Sequence, residues 1–80
     1  MRTVMPHLRF ELDRDYVELH QLLKLNGLCD SGGAGKHLVA SGAVRVDGAV
    51  ESRKTCKIRA GQRVTLRGPG GDTVIDVIEA

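Results

Sequence analysis

The sequence predicts an α+β domain: two packed helices against a small, mostly antiparallel sheet that includes a β-hairpin. Three observations predict it. Two stretches between Tyr16 and Gly42 carry apolar residues at helical spacing, and each ends at a glycine. From Val44 onward the period changes to two, with Asp47-Gly48 between alternating runs, a strong hairpin signal. The chain has 80 residues, enough for one domain with few elements.

In chain order, residues 1–6 read as a tail, because no periodicity has begun and Pro6 cannot donate to a sheet ladder. Residues 7–80 read as the single domain. Leu8, Phe10 and Leu12 alternate with Arg9 and Glu11, the mark of a half-buried strand. Asp15 is the expected N-cap of a first helix from Tyr16 to Asn26, with Glu18 three residues on as a capping-box partner. Leu19, Leu22 and Leu23 form its apolar stripe, and Gly27 its left-handed end. Ser31 is the expected cap of a second helix, from Gly32 or Gly33 to Ser41, closed by Gly42. Its Ala34, Gly35, Leu38, Val39 and Gly42 mark one face, small enough to approach the first helix closely.

Val44–Val46 and Ala49–Glu51 are the hairpin strands. Residues 52–59 are basic, with Cys56 and Ile58 expected to point inward. Ala60-Gly61 turns the chain into a strand over residues 62–67, residues 68–72 form a loop, and residues 73–78 form a last β-branched strand.

Composition narrows the function. Phe10 and Tyr16 are the only aromatic residues, which excludes a sheet that stacks bases on a row of rings. No run approaches the roughly 18–20 apolar residues of a membrane span, and the first residues lack the apolar core of a secretory signal. Cytoplasmic location is therefore expected, with Cys29 and Cys56 as reduced, packed thiols. The net charge of +2 is unevenly spread. Residues 1–35 sum to −1, residues 36–67 to +6 and residues 68–80 to −3. One positive face is expected, rather than a generally basic protein.

Motifs for catalysis are missing from the sequence. Gly32-Gly33-Ala34-Gly35-Lys36 suggests a phosphate loop, but the required first glycine falls at Asp30 and the required hydroxyl residue is His37. What survives is physical: free amides at a helix N-terminus bind phosphate oxygens, glycines leave them unscreened, and Lys36 lies one turn in. His7, His20, His37, Cys29 and Cys56 lack metal-ligand spacing, and Ser31, Ser41 and Ser52 lack a nucleophile context. No enzyme activity, cofactor, metal or small-molecule substrate is expected. Arg53, Lys54 and Lys57 are the densest basic cluster. On its own it reads as a charged edge against aggregation; with the glycine-opened helix it reads as a surface for a structured polyanion.

Five segments then carry a resemblance: residues 22–28, 31–36, 42–48, 50–54 and 58–64. In order, they closely resemble the RNA-binding domain named for small-subunit ribosomal protein four, the αL motif. The resemblance covers about residues 16–66 and extends to stand-alone bacterial proteins that are little more than this domain. It implies two helices followed by a hairpin and a further strand, and binding to structured RNA, commonly ribosomal or transfer RNA. The contacts it implies are Ser31, Gly32, Gly33, Lys36 and His37 on the second helix, with Arg45, Arg53, Lys54 and Lys57 from the hairpin side. Two departures stand out. Gly35 replaces a usual alanine, which is expected to loosen the second helix, and Ala34 replaces a common polar residue. The rival expectation is an assembly adaptor whose basic face meets an acidic protein. A monomer is expected in either case.

Overall fold

The computed structural model describes residues 7–68 and 71–80. The expected tail, residues 1–6, lies outside the described residues, as do Pro69 and Gly70 of the last loop. The elements are β1 (His7–Leu12), β2 (Val17–Glu18), α1 (Leu19–Leu25), α2 (Gly32–Ala40), β3 (Val44–Val46), β4 (Ala49–Val50), β5 (Lys57–Ile58), β6 (Arg63–Leu66) and β7 (Thr73–Glu79). Two helices pack on a five-stranded sheet of order β1-β7-β6-β3-β4, and β2 pairs with β5 in a separate two-stranded ladder. Among the described residues every pairing but one is antiparallel; β1 runs parallel to β7, from His7 opposite Val74 to Leu12 opposite Glu79.

Alternation gives the sheet two faces. Val44, Val64, Ile75 and Val77 are buried on the inner one, together with Leu19, Leu22 and Leu23 of α1, Val39 of α2, and Ile58. Each such side chain contributes about 1.5–3 kcal/mol of apolar burial, so this cluster holds the two layers together. By the same alternation, Arg45, Arg63, Thr65 and Asp76 fall on the outer face, away from the helices.

The local turn chemistry behaves as the sequence predicts. Gly27 ends α1 at φ 73°. Its N–H donates to the Lys24 carbonyl and the Leu28 N–H reaches back to Leu23, at 3.0 Å each. Ser31 caps α2 by accepting from the Ala34 N–H at 3.1 Å, and Gly42 leaves it at φ 83°. Asp47 and Gly48, at φ 52° and 87°, make the hairpin turn.

The start of α1 differs from expectation. Asp15 does not cap it, and Val17 and Glu18 are a strand opposite Ile58 and Lys57. Glu18 occupies the cap position with no side-chain cap bond. The reason is long-range. The Leu19 N–H donates to the Cys56 carbonyl at 2.9 Å and the His20 N–H to the Lys54 carbonyl at 3.1 Å. Backbone from residues 54–56 thus satisfies amides that an Asp would otherwise serve.

Candidate nucleic-acid interface

The construction begins at His20. Its N–H is held by Lys54, and its carbonyl oxygen faces α2 at Gly35. A Cβ on Gly35 would stand 2.8 Å from that oxygen and 3.3 Å from Cys29 Sγ. This glycine therefore permits the close helix approach expected from the small-residue face. Gly32 and Gly33 have no such duty: a Cβ on Gly32 would meet nothing within 4 Å, and one on Gly33 only Ser31 Oγ at 3.8 Å. The two kinds of glycine in one helix are separated by what they face. The close contact places the segment 54–56, the start of α1 and the middle of α2 side by side.

Each site residue can now be placed. Lys36 and His37 follow Gly35 on the exposed side of α2, one turn beyond Ser31, Gly32 and Gly33. Gly32 and Gly33 occupy first-turn positions whose N–H groups have no intrahelical acceptor. Lys54 and Lys57 are exposed and flank the α1 start, and with Lys36 they enter no ion pair among the described residues. Arg53, Thr55, Cys56 and Lys57 line an open cavity of about 370 Å³.

Arg53 and Arg45 are set apart from the three lysines. The Arg53 guanidinium is held in a fork by Glu51, Nε to Oε2 at 3.0 Å and a terminal nitrogen to Oε1 at 3.2 Å. The Arg53 backbone N–H donates to the same carboxylate at 3.0 Å. These bonds hold the Glu51 carboxyl at about 2, below its ordinary 4.5. Burial, with Glu51 adding to it, pushes the Cys56 thiol up. Arg53 is thus exposed but already neutralised. Arg45 projects from the outer sheet face between partners Val50 and Thr65, so it does not join Lys36 and Lys54. The alternation of Val44, Arg45 and Val46 carried that information in the sequence.

Two side chains near the cluster escaped the sequence reading. His20, 8% exposed, sits at the α1 start with Nε2 3.0 Å from Glu18 Oε1. Tyr16 stays at the surface with Lys57 Nζ 5.0 Å and Arg59 Cζ 5.9 Å from its ring centre. No spacing motif marks either one.

The comparisons with known proteins agree with this architecture. Residues 10–75 match the family model described as S4 domain. The chain is 57% identical over 53 residues to YbcJ of Escherichia coli (strain K12), which is 66% of this chain and 76% of that protein. The same figures hold for YbcJ of Shigella flexneri. The solution structure of E. coli YbcJ, described as revealing an αL motif involved in RNA-binding, matches with a TM-score of 0.58 at 39% identity. That match covers 95% of this chain and 92% of that one.

Proposed function

This chain belongs to the S4 domain family, and from that membership we propose that it is a non-catalytic protein that binds structured RNA through its α2 start and the segment 54–57. The observation that carries the reading is the double engagement of His20. Its N–H meets Lys54 and its carbonyl faces Gly35, so two stretches of unneutralised cations lie at one end of α1. Lys36, Lys54 and Lys57 supply point charges for phosphates, and the Gly32 and Gly33 amides supply directed donors. Ser31 and His37 extend that edge. Recognition of this kind reads backbone shape more than base identity, as suits a folded RNA. Ribosomal or transfer RNA in the cytoplasm is the proposed target class, carried over from the family rather than from the geometry.

The test is a paired charge reversal. Lys36→Glu with Lys54→Glu is expected to leave the thermal melt within a few degrees of the parent and to weaken binding to a folded RNA at least a hundredfold. An anisotropy titration reads this. Unchanged affinity in the folded double variant overturns the site. A pull-down of cellular partners that persists after ribonuclease treatment favours an acidic protein partner instead.

A further inference from the structure

Tyr16 offers a surface that the phosphate-binding reading does not use. Tyr16 is 36% exposed, one of the few large apolar residues at the surface among the described residues. Its backbone is fixed, because the next residue, Val17, is buried in the β2–β5 ladder opposite Ile58. Arg59 is tied to the same spot, donating from Nη1 to the Asp15 carbonyl at 3.4 Å. Lys57 reaches the ring from β5. Two cations thus gather on one neutral ring, and neither forms an ion pair among the described residues.

An exposed cation–π contact is weak, and two like charges near one ring repel each other. Such an arrangement favours an anion that neutralises both. Beside the ring opens a cleft of about 440 Å³ lined by Arg14, Asp15, Val17, Glu18 and Gln21 as well as Tyr16. It offers an aromatic wall with hydrogen-bond donors and acceptors around it. Lys57 lies over the Tyr16 ring and also lines the Arg53–Cys56 cavity, so one cation stands between the ring and the proposed phosphate-binding surface.

We propose that Tyr16, Lys57 and Arg59 form a seat for one unpaired nucleotide at the edge of the RNA-binding surface. Its base stacks on Tyr16 and its phosphate is held by Lys57 and Arg59. The proposal rests on the RNA-binding reading above and adds to it a preference for RNA that carries a bulged or loop nucleotide. One stacked base is compatible with the scarcity of aromatics, which excludes only a row of them. A stacked base is worth about 1–3 kcal/mol, equivalent to roughly fivefold to 150-fold in affinity.

The chain has one tyrosine and no tryptophan, so ultraviolet emission excited at wavelengths that phenylalanine does not absorb reports Tyr16 alone. The probes are an RNA hairpin with a single bulged adenosine and the same hairpin without it, with free tyrosine amide correcting for absorption by the RNA. The bulged hairpin is expected to quench the Tyr16 emission and to bind at least fivefold tighter than the paired one. Tyr16→Leu is expected to erase that preference while keeping affinity for the paired hairpin, and Tyr16→Phe to retain it. If both hairpins bind equally with emission unchanged, the seat is overturned and RNA binding stands. A uniform loss with Tyr16→Leu on both hairpins also overturns it, because the ring then only positions cations. If neither hairpin binds, the RNA-binding reading fails and the seat fails with it.

Discussion

Arg63 on the outer sheet face and the lysines at the start of α1 meet different fates. On the outer face, Arg63 donates to Asp76 at 2.7 Å, and the His7 ring closes on the same carboxylate. The Asp76 carboxyl is held below its ordinary range, first by Arg63 and then by His7. At the α1 start, Lys36, Lys54 and Lys57 meet no carboxylate among the described residues, and one neighbour, Arg53, is masked by Glu51. Pairing thus removes Arg63 from the +6 of the middle segment on one side and Arg53 on the other, and leaves Arg45 alone on the outer face against three lysines grouped at the α1 end. Counting charges locates a basic segment, and pairing decides which of its cations remain free for an anion.

The paired reversal of Lys36 and Lys54 is the strongest way to break this contrast, and Arg63→Gln is its control, expected to change RNA affinity by less than twofold. Next in size is Gly35→Ala. Alanine gains helix propensity of about 1 kcal/mol, but its Cβ meets the backbone oxygen of His20 at 2.8 Å. Overpacking of this kind costs typically about 1–3 kcal/mol, and the backbone contact puts Gly35 toward the upper end, so a net loss of up to about 2 kcal/mol is expected in a urea melt. Because the helices separate, RNA affinity should fall with it. A variant as stable as the parent would remove Gly35 from the account.

Glu51→Gln sharpens the contrast from the other side. It unmasks Arg53, so RNA affinity at pH 7 is expected to rise a few-fold, as about one added phosphate contact. The same variant changes the acid response. The folded Glu51 value, about 2, lies below its ordinary 4.5, so its contribution is fully present above about pH 5. That contribution is lost as pH falls toward 2. Asp76, also lowered, acts in the same direction. The parent should lose stability between about pH 5 and 2, and Glu51→Gln should show a shallower loss in thermal melts over that range. Arg53 is largely solvent-exposed, so the effect is small. Gly32→Ala has the smallest expected effect. Its Cβ enters open space, so stability rises by up to about 1 kcal/mol while RNA affinity falls slightly as the amide is screened.

What could be read in advance was local. Gly27, Ser31, Gly42 and Asp47-Gly48 each carry their conformation in their own chemistry, and the structure puts turns and caps where they stand. The α1 start could not be read this way, because its amides are satisfied by carbonyls of Lys54 and Cys56, more than thirty residues on. The parallel pairing of β1 with β7 joins the two ends of the described chain and has no local signature. For the site, the glycine-opened helix and the lysines were legible as residues, and their grouping around His20 was not. The outward direction of Arg45 was legible in its alternation with Val44 and Val46. Glu51 and Arg53 sit two apart in sequence, and that pairing was legible too.

The central claim is that unneutralised cations at the α1 end, and not the basic residues at large, carry the RNA contact. The most direct measurement is the slope of log affinity against log salt for a folded RNA, compared among the parent, Lys54→Gln and Arg63→Gln. Lys54→Gln is expected to reduce the slope by about 0.7–0.9, one phosphate contact, and Arg63→Gln to leave it unchanged. Equal reductions in the two variants, or none in Lys54→Gln, would contradict the claim.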